Sequence, residues 1–337
     1  MSCQSYPFTE RRKPLIFQIH AVMLRINMQQ KCKNWLIADV GATSSRFAIY
    51  DGQVISAVEI FRNDDFNSLE TLATHYVSRR ERTLSAAAMA VAAPIDGNDV
   101  QMINRNWTFS RNSIAAVGFN EVRILNDFHA IAYALPTFGD DDRFEVGTAT
   151  QYRRGNIAVL GPGSGLGMSA WIAGNAAMCG EGGHITLSGR DAREDEIIAK
   201  LRDRFGHASA ERALSGPGIV ALHEAMHGEL LTSPEEIAGN TDTDIKRATM
   251  AQFYRFLGSA AAELALIAGA IGGIYIAGGI VPSYTTGIAN SEFRERFEEK
   301  NRYRDYMAAI PTYVITDPVP GLTGLATFVD RDSSASL

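Results

Sequence analysis

Cysteine is scarce in this 337-residue chain, which has three: Cys3, Cys32 and Cys179. The number is odd, and no two lie at the close spacings that zinc sites and disulfide frameworks use. The sequence therefore excludes a small disulfide-stapled fold and favours a reducing compartment. The cytoplasm is the predicted location.

Positive charge is also in short supply, because 32 Lys and Arg residues face 38 Asp and Glu residues and the formal net charge is −6. The basic residues are scattered rather than grouped in a stripe, so we predict no nucleic-acid partner. Apolar residues make up 46% of the chain, which is enough for packed cores. The length favours two domains.

One uncharged apolar run, residues 264–281, reaches the length of a membrane span. Its glycine pairs, Gly272-Gly273 and Gly278-Gly279, bracket the short segment 274–277. This punctuation is typical of a buried helix that leads into a buried strand. We therefore predict no membrane partner.

The first 33 residues carry a basic cluster at 11–13 ahead of an apolar patch at 15–24, which Gln18 and His20 interrupt. A signal peptide is a weak alternative, because no small-residue cleavage site follows the patch. We expect residues 1–33 to be an extension outside the fold, with Met28 close before the first strand.

Residues 35–50 combine two β-type segments with a small-residue turn. The segments 35–37 and 47–50 suit strands. Between them, Asp39 and the residues from Gly41 to Ser45 offer a carboxylate, backbone N–H groups and hydroxyls, a set that can hold a nucleotide phosphate and its Mg²⁺. An ordinary polar hairpin turn is the alternative, because short Gly-rich turns also match by chance.

The order of strand, glycine turn and strand recurs at 157–173, where residues 161–167 contain four glycines and Ser164. Glycines let a backbone approach an anion closely. The repetition predicts a duplicated architecture with a nucleotide cleft between its halves. Gly278-Gly279 is a third close-approach turn, which either an adenosine contact or tight packing of a helix on a strand would explain.

Polar groups able to bind a polyol occur in three segments. Asn126-Asp127 ends a predicted strand at 122–125, and ligands of α/β sheets bind outside the carboxyl ends of strands. Glu181 and His184 lie in a glycine-rich segment that predicts a flexible turn, and Glu211 follows farther on. Together they describe a sugar site, in which each hydroxyl needs a matched partner. Each residue alone also fits a turn or cap role.

Helices are predicted where apolar residues recur at helical spacing: at 69–77 behind a segment, 67–70, that resembles a capping box, at 194–205, which Gly206 ends, and at 253–268. Strands are predicted at 86–92 and 312–316. Pro318, Pro320 and Gly321 predict a hinge-like break before a short C-terminal segment.

His223 and His227 form an H-E-x-x-H motif with Glu224, as zinc proteases have. No further histidine follows at metzincin spacing, and no second helix offers a clear third ligand. We expect this helix to expose both histidines and treat a zinc protease as a remote alternative.

Taken together, these segments resemble those of a bacterial glucokinase of the hexokinase/actin-like superfamily, from about residue 34 to the C-terminus. The CxCG-type zinc motif of the related ROK sugar kinases is absent, which favours the non-ROK branch. The matching blocks, in chain order, are LIADVGATSSRFAIYD, AAPIDGNDVQMINRNW, ILNDFHAIAYALP, GPGSGLG, GEGGH, SAERALSGPG, GGIYIAGGIVP and PGLTGLA.

The resemblance implies an α/β fold of two ribonuclease H-like domains, of the actin/hexokinase type, around a cleft. The small domain would span 34–137 and be completed by about 318–337. The large domain would span 138–317. A homodimer is the expected assembly.

The same resemblance implies ATP-dependent phosphorylation of glucose at its C6 hydroxyl to glucose 6-phosphate, with ATP and Mg²⁺. Asp127 would be the general base, and Asp39 would position Mg²⁺, commonly through water. The sugar would contact Asn126, Asp127, Glu181, His184 and Glu211. The nucleotide would contact Ala38, Asp39, Val40, Gly41, Ala42, Thr43, Gly163, Ser164, Gly165, Gly278 and Gly279.

The chain departs from the family pattern in its first loop, where Ala42 replaces a glycine and Ser44 an asparagine. A methyl group at position 42 would crowd a phosphate or require a φ that only glycine adopts freely. Weakened ATP affinity is therefore one hypothesis, and a glucose-binding sensor without turnover is the alternative function. The sequence leaves the preferred hexose open, and also the choice between ATP and polyphosphate.

Overall fold

The structure, a computed structural model, describes residues 33–174, 176–239, 243–282 and 285–335. The extension predicted at 1–33 lies outside these residues except for Lys33. The strands of the described residues are β1 (Trp35–Val40), β2 (Ser44–Tyr50), β3 (Ile55–Arg62), β4 (Ala86–Val91), β5 (Asp99–Gln101), β6 (Thr108–Ser110), β7 (Glu121–Asn126), β8 (Arg143–Glu145), β9 (Ile157–Pro162), β10 (Leu166–Ile172), β11 (Ala176–Met178), β12 (Gly273–Ile276) and β13 (Thr312–Ile315).

Helices alternate with these strands, as in an α/β protein. In the same ranges they are α1 (Leu69–Ser78), α2 (Arg111–Ala115), α3 (Asp127–Ala134), α4 (Ala192–Phe205), α5 (Gly216–His227), α6 (Pro234–Ala238), α7 (Asp244–Ala268), α8 (Thr285–Ala289), α9 (Phe293–Glu298), α10 (Arg304–Ala308) and α11 (Pro320–Ala335).

Two large sheets share one strand order. The first runs β3-β2-β1-β4-β7 and the second runs β11-β10-β9-β12-β13-β8. Each contains an antiparallel hairpin, β1 with β2 or β9 with β10, and a parallel strand beside the first member of that hairpin. Apart from β8, the two orders are equivalent position by position. The predicted duplication is therefore confirmed at the level of topology.

The first sheet brings polar residues to one edge. In its parallel part, Val40 pairs with Val91 and Val91 pairs with Asn126, so β1, β4 and β7 end side by side. Asp39 and the Asn126-Asp127 pair consequently lie at the same edge, although the ends of the two strands they come from are 86 positions apart in the sequence. This is the edge of a parallel sheet at which α/β proteins bind ligands.

The first sheet is covered on both faces because side chains alternate along a strand. Leu36, Ala38 and Val40 of β1 pack into a core with α1. Trp35 and Ile37 point to the other face, where α11 covers them. The C-terminal helix therefore completes the sheet that the first strand begins.

Helix α3 connects the two sheets. It starts where β7 ends, and its residues Phe128 and Ile131 pack in one buried cluster with Val159, Trp171 and Tyr275 of the second sheet. The helix that carries Asp127 is thereby fixed against the hairpin of the second sheet.

The apolar run at 264–281 is a helix end followed by a strand, as predicted. Helix α7 ends at Ala268, Gly269 takes the left-handed conformation with φ of 58°, and β12 begins at Gly273. Among the described helices, none combines the length and apolar character that crossing a membrane requires.

Two predicted details are wrong. The box at the start of α1 pairs Ser68 with Thr71, because the Thr71 hydroxyl takes the place expected for Glu70. The hinge-like break predicted at Pro318, Pro320 and Gly321 is the start of α11, since proline is well tolerated in the first turn of a helix.

Candidate functional site

A cavity of about 440 Å³ lies between the edge of the first sheet and the hairpin of the second. The five predicted sugar ligands all line it: Asn126, Asp127, Glu181, His184 and Glu211. Four predicted nucleotide contacts line it as well: Gly163, Ser164, Gly165 and Gly278. The fold thus brings residues from distant segments to one site.

Asn126 is the N-cap of α3 as well as a cavity residue. Its Oδ1 accepts hydrogen bonds from the N–H groups of Phe128 at 2.9 Å and His129 at 3.1 Å. Its Nδ2 donates to the Ala93 carbonyl at 3.3 Å. Because its side chain is held at both ends, Asn126 presents a fixed amide to the cavity.

Asp127 has a pKa suited to a general base. Burial, together with repulsion from the nearby Asp39 carboxylate, raises the pKa of Asp127 from 3.8 to about 7. A hydrogen bond from the Phe128 N–H to Oδ1, at 2.9 Å, opposes this rise. A carboxylate with a pKa near neutrality can take a proton effectively at physiological pH.

Asp39 lies at the end of β1, where burial raises its pKa and the charge of Arg46 lowers it. One Arg46 nitrogen, Nη1, lies 3.5 Å from Oδ2 of Asp39. A Cβ at Gly321, in the first turn of α11, would lie 2.8 Å from the Asp39 Cγ. The helix start therefore packs directly on this carboxylate, and a glycine is needed there.

The oxygen donors at this edge fit Mg²⁺, which prefers carboxylates, phosphates and water. Across the part of the chain that the structure describes, no group of three or more His, Cys, Asp or Glu side chains is arranged to hold a metal. Such an ion would take most of its ligands from water and phosphate. The role of Asp39 in positioning such an ion through water stays a prediction.

The first glycine turn, residues 41–43, is held by a residue that the sequence analysis missed. Asn63, fully buried, donates from Nδ2 to the carbonyls of Gly41 at 2.8 Å and Ala42 at 3.3 Å. Its backbone N–H donates to the Thr43 carbonyl at 2.9 Å. Within the described ranges the N–H groups of Ala42 and Thr43 have no acceptor, so they are available to an anion.

Ala42 does not need the conformational freedom of glycine. In the described parts of the chain, the non-glycine residues with positive φ are Ala57 and Asn301, so Ala42 lies outside the left-handed region. The φ that was expected to be difficult is one that alanine adopts freely. Whether the methyl group crowds a phosphate stays a prediction.

The second glycine turn is shorter than predicted. Strands β9 and β10 extend through Pro162 and from Leu166, which leaves Gly163, Ser164 and Gly165 as the turn. The Gly163 N–H donates to the Gly165 carbonyl at 2.8 Å. The Leu166 N–H donates to Oε2 of Glu211 at 2.9 Å, which ties a predicted sugar ligand to this loop.

The segment that carries Glu181 and His184 is not a flexible turn. Residues Gly182–His184 form a 3₁₀ turn packed on β10. A Cβ at Gly183 would overlap the Leu166 carbonyl oxygen, and one at Gly182 would lie 2.9 Å from the Met168 sulfur. The glycines serve close packing, which fixes the backbone between the two predicted ligands.

Gly278 and Gly279 differ in their surroundings. Gly278 has φ of +86°, and a Cβ there would overlap the Pro162 carbonyl oxygen. Close packing therefore explains this glycine, as the alternative interpretation had it, and the residue also lines the cavity. A Cβ at Gly279 would meet nothing within 4 Å, so close packing does not explain this glycine.

Comparison with known proteins gives the family. A family model described as Glucokinase matches residues 36–332. A glucokinase of Aromatoleum aromaticum is 40% identical over 315 residues, which cover 88% of this chain and 94% of that protein. The chain belongs to the glucokinase family.

Solved structures agree with the glucokinase fold. The crystal structure of a glucokinase from an Antarctic psychrotroph has a TM-score of 0.77 and 32% identity, and the match covers 89% of this chain and 99% of that one. A glucokinase from Balamuthia mandrillaris in complex with glucose has a TM-score of 0.72 at 17% identity, covering 92% and 99%, and supports the fold alone. The α/β fold of the hexokinase/actin-like type is therefore confirmed.

Two of the predicted nucleotide contacts in this glucokinase have buried side chains. Ala38 and Val40 are both fully buried in the core of the first sheet. Neither residue is exposed in this structure, whereas Gly41, Ala42 and Thr43 form the turn itself and are partly or fully exposed.

Other cavity residues were not singled out from the sequence. Asn104, Phe128 and Arg212 line the cavity, and the Arg212 guanidinium lies 4.4 Å from the centre of the Phe205 ring. Asn104, Phe128 and Arg212 fall inside blocks of sequence that carry the glucokinase resemblance, whereas Phe205, which also lines the cavity, does not. The blocks were therefore the available signal.

The histidine motif has a structural explanation in this glucokinase. His223 is fully buried, contrary to the expectation of exposure, and His227 is half-buried. The Thr249 hydroxyl of α7 lies 2.9 Å from His223 Nδ1 and 3.1 Å from His227 Nε2. The motif faces α7 rather than solvent, because the apolar side of α5 packs against α7. The contact of the two histidines with the Thr249 hydroxyl does not resemble a metal site.

Proposed function

We propose that this chain transfers the γ-phosphoryl group of ATP to the C6 hydroxyl of glucose and releases glucose 6-phosphate and ADP. The observation that carries the proposal is one cavity that both Asp127 and the Gly163–Gly165 turn line, in a chain of the glucokinase family. A carboxylate base beside a backbone phosphate cradle is what phosphoryl transfer to an alcohol requires.

In this proposal the sugar is held by Asn126, Glu181, His184 and Glu211 and oriented with its C6 hydroxyl toward Asp127. These groups provide both donors and acceptors, which match the hydroxyls of a hexose. Glucose is the hexose that we propose, on the basis of the family.

Asp127 takes the proton of the C6 hydroxyl as the oxygen attacks the γ-phosphorus. The new bond joins O6 to the γ-phosphorus, and the bond from that phosphorus to the β,γ-bridging oxygen breaks, with the electrons leaving on ADP. The N–H groups of Ala42 and Thr43 and the turn of Gly163, Ser164 and Gly165 bind the phosphates. Mg²⁺, when bound near Asp39, neutralises phosphate charge.

Further parts of the proposal rest on the resemblance. We propose a division into residues 34–137 with 318–337 and residues 138–317, in line with the two sheets. Adenosine would lie near Gly278 and Gly279. A homodimer and a cytoplasmic location complete the proposal, the latter supported by the cysteine content.

The first test is a coupled assay of glucose phosphorylation with ATP and Mg²⁺. Asp127→Asn should lower kcat by about 100-fold or more, since general base catalysis contributes about that much. Calorimetry should give a glucose Kd within about threefold of wild type, because the amide keeps the shape of the site.

Glu211→Gln is the matched control, because it changes a proposed sugar ligand and should weaken glucose binding. A wild-type protein that binds glucose but does not consume ATP would support the sensor alternative. Near-normal kcat in Asp127→Asn would refute the assignment of the base.

A further inference from the structure

Phe128 follows Asp127 directly and fills a slot on the hairpin of the second sheet. Gly161 and Gly167 are register partners across β9 and β10, so neither presents a side chain on the face that they share. A Cβ at Gly167 would overlap the Phe128 ring, whose atoms are its three nearest neighbours. A Cβ at Gly161 would lie 2.7 Å from Cζ of the same ring.

Buried side chains of other segments also contact the ring and hold it in this slot. Phe128 is 8% exposed and belongs to the buried cluster with Val159 and Tyr275. These contacts come from three strands and from the helix that the residue itself begins. The ring therefore cannot shift without displacing either α3 or the hairpin.

The same residue is bonded to the proposed base. The Phe128 N–H donates to Oδ1 of Asp127 and to Oδ1 of Asn126, each at 2.9 Å. Its backbone thus orients Asp127 while its ring contacts the two strands that end in the Gly163–Gly165 turn. One residue spans the distance between the base and the phosphate loop.

We propose that Phe128 is a positioning residue that sets the separation between the Asp127 carboxylate and the Gly163–Gly165 turn. The proposal rests on the function given above. Phosphoryl transfer depends on the alignment of the attacking oxygen with the γ-phosphoryl group, and a displacement of about 1 Å can cost about 100-fold in rate. Gly161 and Gly167 are then needed because a side chain at either position would clash with the Phe128 ring. The phosphate contacts the Gly163–Gly165 turn between them.

The first experiment replaces Phe128 and separates kcat from KM. Phe128→Leu keeps an apolar side chain, and Phe128→Ala empties the slot. Both should lower kcat by about tenfold or more. The KM for glucose and the calorimetric glucose Kd should stay within about threefold, because the sugar ligands are unchanged. A residue that only stabilised the fold would lower the melting temperature and leave kcat of the folded protein intact.

The second experiment is a double-mutant cycle with Gly167. Gly167→Ala should lower kcat by about 100-fold or more in wild type, because the new methyl group overlaps the ring. In the Phe128→Ala background it should cost less than about threefold, since the atoms that it met are gone. The coupling is the signature of a contact between these two residues.

Gly161→Ala is the matched control. Its Cβ would also lie 2.7 Å and 2.9 Å from the backbone carbon and oxygen of Ala277. Removal of the Phe128 ring cannot relieve that clash, so Gly161→Ala should remain harmful in both backgrounds.

Wild-type turnover is measured first, because it separates the two proposals. An inactive wild type refutes the proposed function. The contact between Phe128 and Gly167 is then measured as the coupling between their effects on the melting temperature. With an active wild type, kcat within about twofold in Phe128→Leu and Phe128→Ala overturns the positioning role. The positioning role is also overturned if Gly167→Ala lowers kcat by the same factor in wild type and in the Phe128→Ala background. If Phe128→Ala does not fold, Phe128→Leu supplies the same comparison.

Discussion

Asp127 combines burial with a neighbouring negative charge, and both act on its protonation. The pKa of about 7 means that the carboxyl group gains its charge as pH rises through neutrality. We expect kcat/KM for glucose to rise with pH up to an apparent pKa close to 7 and to level off above it, because only the charged form accepts a proton. Initial rates at saturating ATP, taken across the pH range, measure this.

The same shift has a cost in stability. A carboxyl group whose pKa is higher in the folded protein than in the unfolded chain binds protons preferentially when folded, so its contribution to stability falls as pH rises from about 4 to about 7. Asp127→Asn should therefore be more stable than wild type at pH 8 and closer to it at pH 4. An apparent pKa of kcat/KM far below 6 would contradict the pH dependence expected of the activity. An Asp127→Asn protein less stable than wild type at pH 8 would contradict the expected effect on stability.

Single residues were also where sequence reasoning reached its limit. The glycines at 161, 167, 182 and 183 were interpreted as anion-binding or flexible positions, yet each is required by a close contact with another segment. These partners become visible only in three dimensions. The carboxylates and the imidazole of the site were predictable, because their chemistry belongs to the residue types and their blocks match a known family.

At the scale of elements, the turn after β1 depends on Asn63, which lies at the end of β3 and reaches back across the hairpin. Asn63→Ala should raise the KM for ATP by about tenfold, because the turn loses the bonds that hold its carbonyls inward. The free energy of unfolding should fall by about 1 to 3 kcal/mol, since the partly buried carbonyls of Gly41 and Ala42 lose their donor. Steady-state kinetics and urea unfolding measure the two effects.

Ala42→Gly is the control for the Asn63 variant. It removes the methyl group that departs from the family pattern and keeps every bond that Asn63 makes. Because Ala42 already has an ordinary φ, we expect its KM for ATP to stay within about threefold of wild type. A large drop in the KM for ATP in Ala42→Gly would show that the methyl group crowds the phosphate. An unchanged KM for ATP in Asn63→Ala would show that the turn keeps its conformation without the hydrogen bonds from Asn63.

Elements were predicted well where local patterns decide them. The strands at 35–40, 86–91 and 157–162 follow from apolar runs, and the helix that ends at Phe205 follows from its apolar spacing and from Gly206. Helix α5 was predicted, but the burial of His223 was not, because the hydrogen-bond partner of its Nδ1, Thr249 of α7, lies 26 residues farther along the chain. The start of α11 was missed because a proline can either end or begin a helix.

At the scale of the whole molecule, the C-terminal helix α11 packs against β1, the first strand of the fold. Leu322, Leu325 and Val329 cover the face of the first sheet that Trp35 and Ile37 present, so the last helix packs on the first strand. The start of the same helix also packs on Asp39. The fold of the first sheet and the placement of a site carboxylate therefore depend on one helix at the far end of the sequence.

Leu325→Ala tests this dependence. Leu325 is fully buried, so we expect the free energy of unfolding to fall by about 2 to 5 kcal/mol, the usual cost of a Leu to Ala cavity. Leu325→Met keeps the volume and should cost less than about 1.5 kcal/mol. Urea unfolding followed by tryptophan fluorescence is the measurement, because Trp35 lies under α11 and reports the loss of that contact. A change below about 0.5 kcal/mol in Leu325→Ala is the size expected of a surface substitution, and it would mean that α11 does not support the sheet.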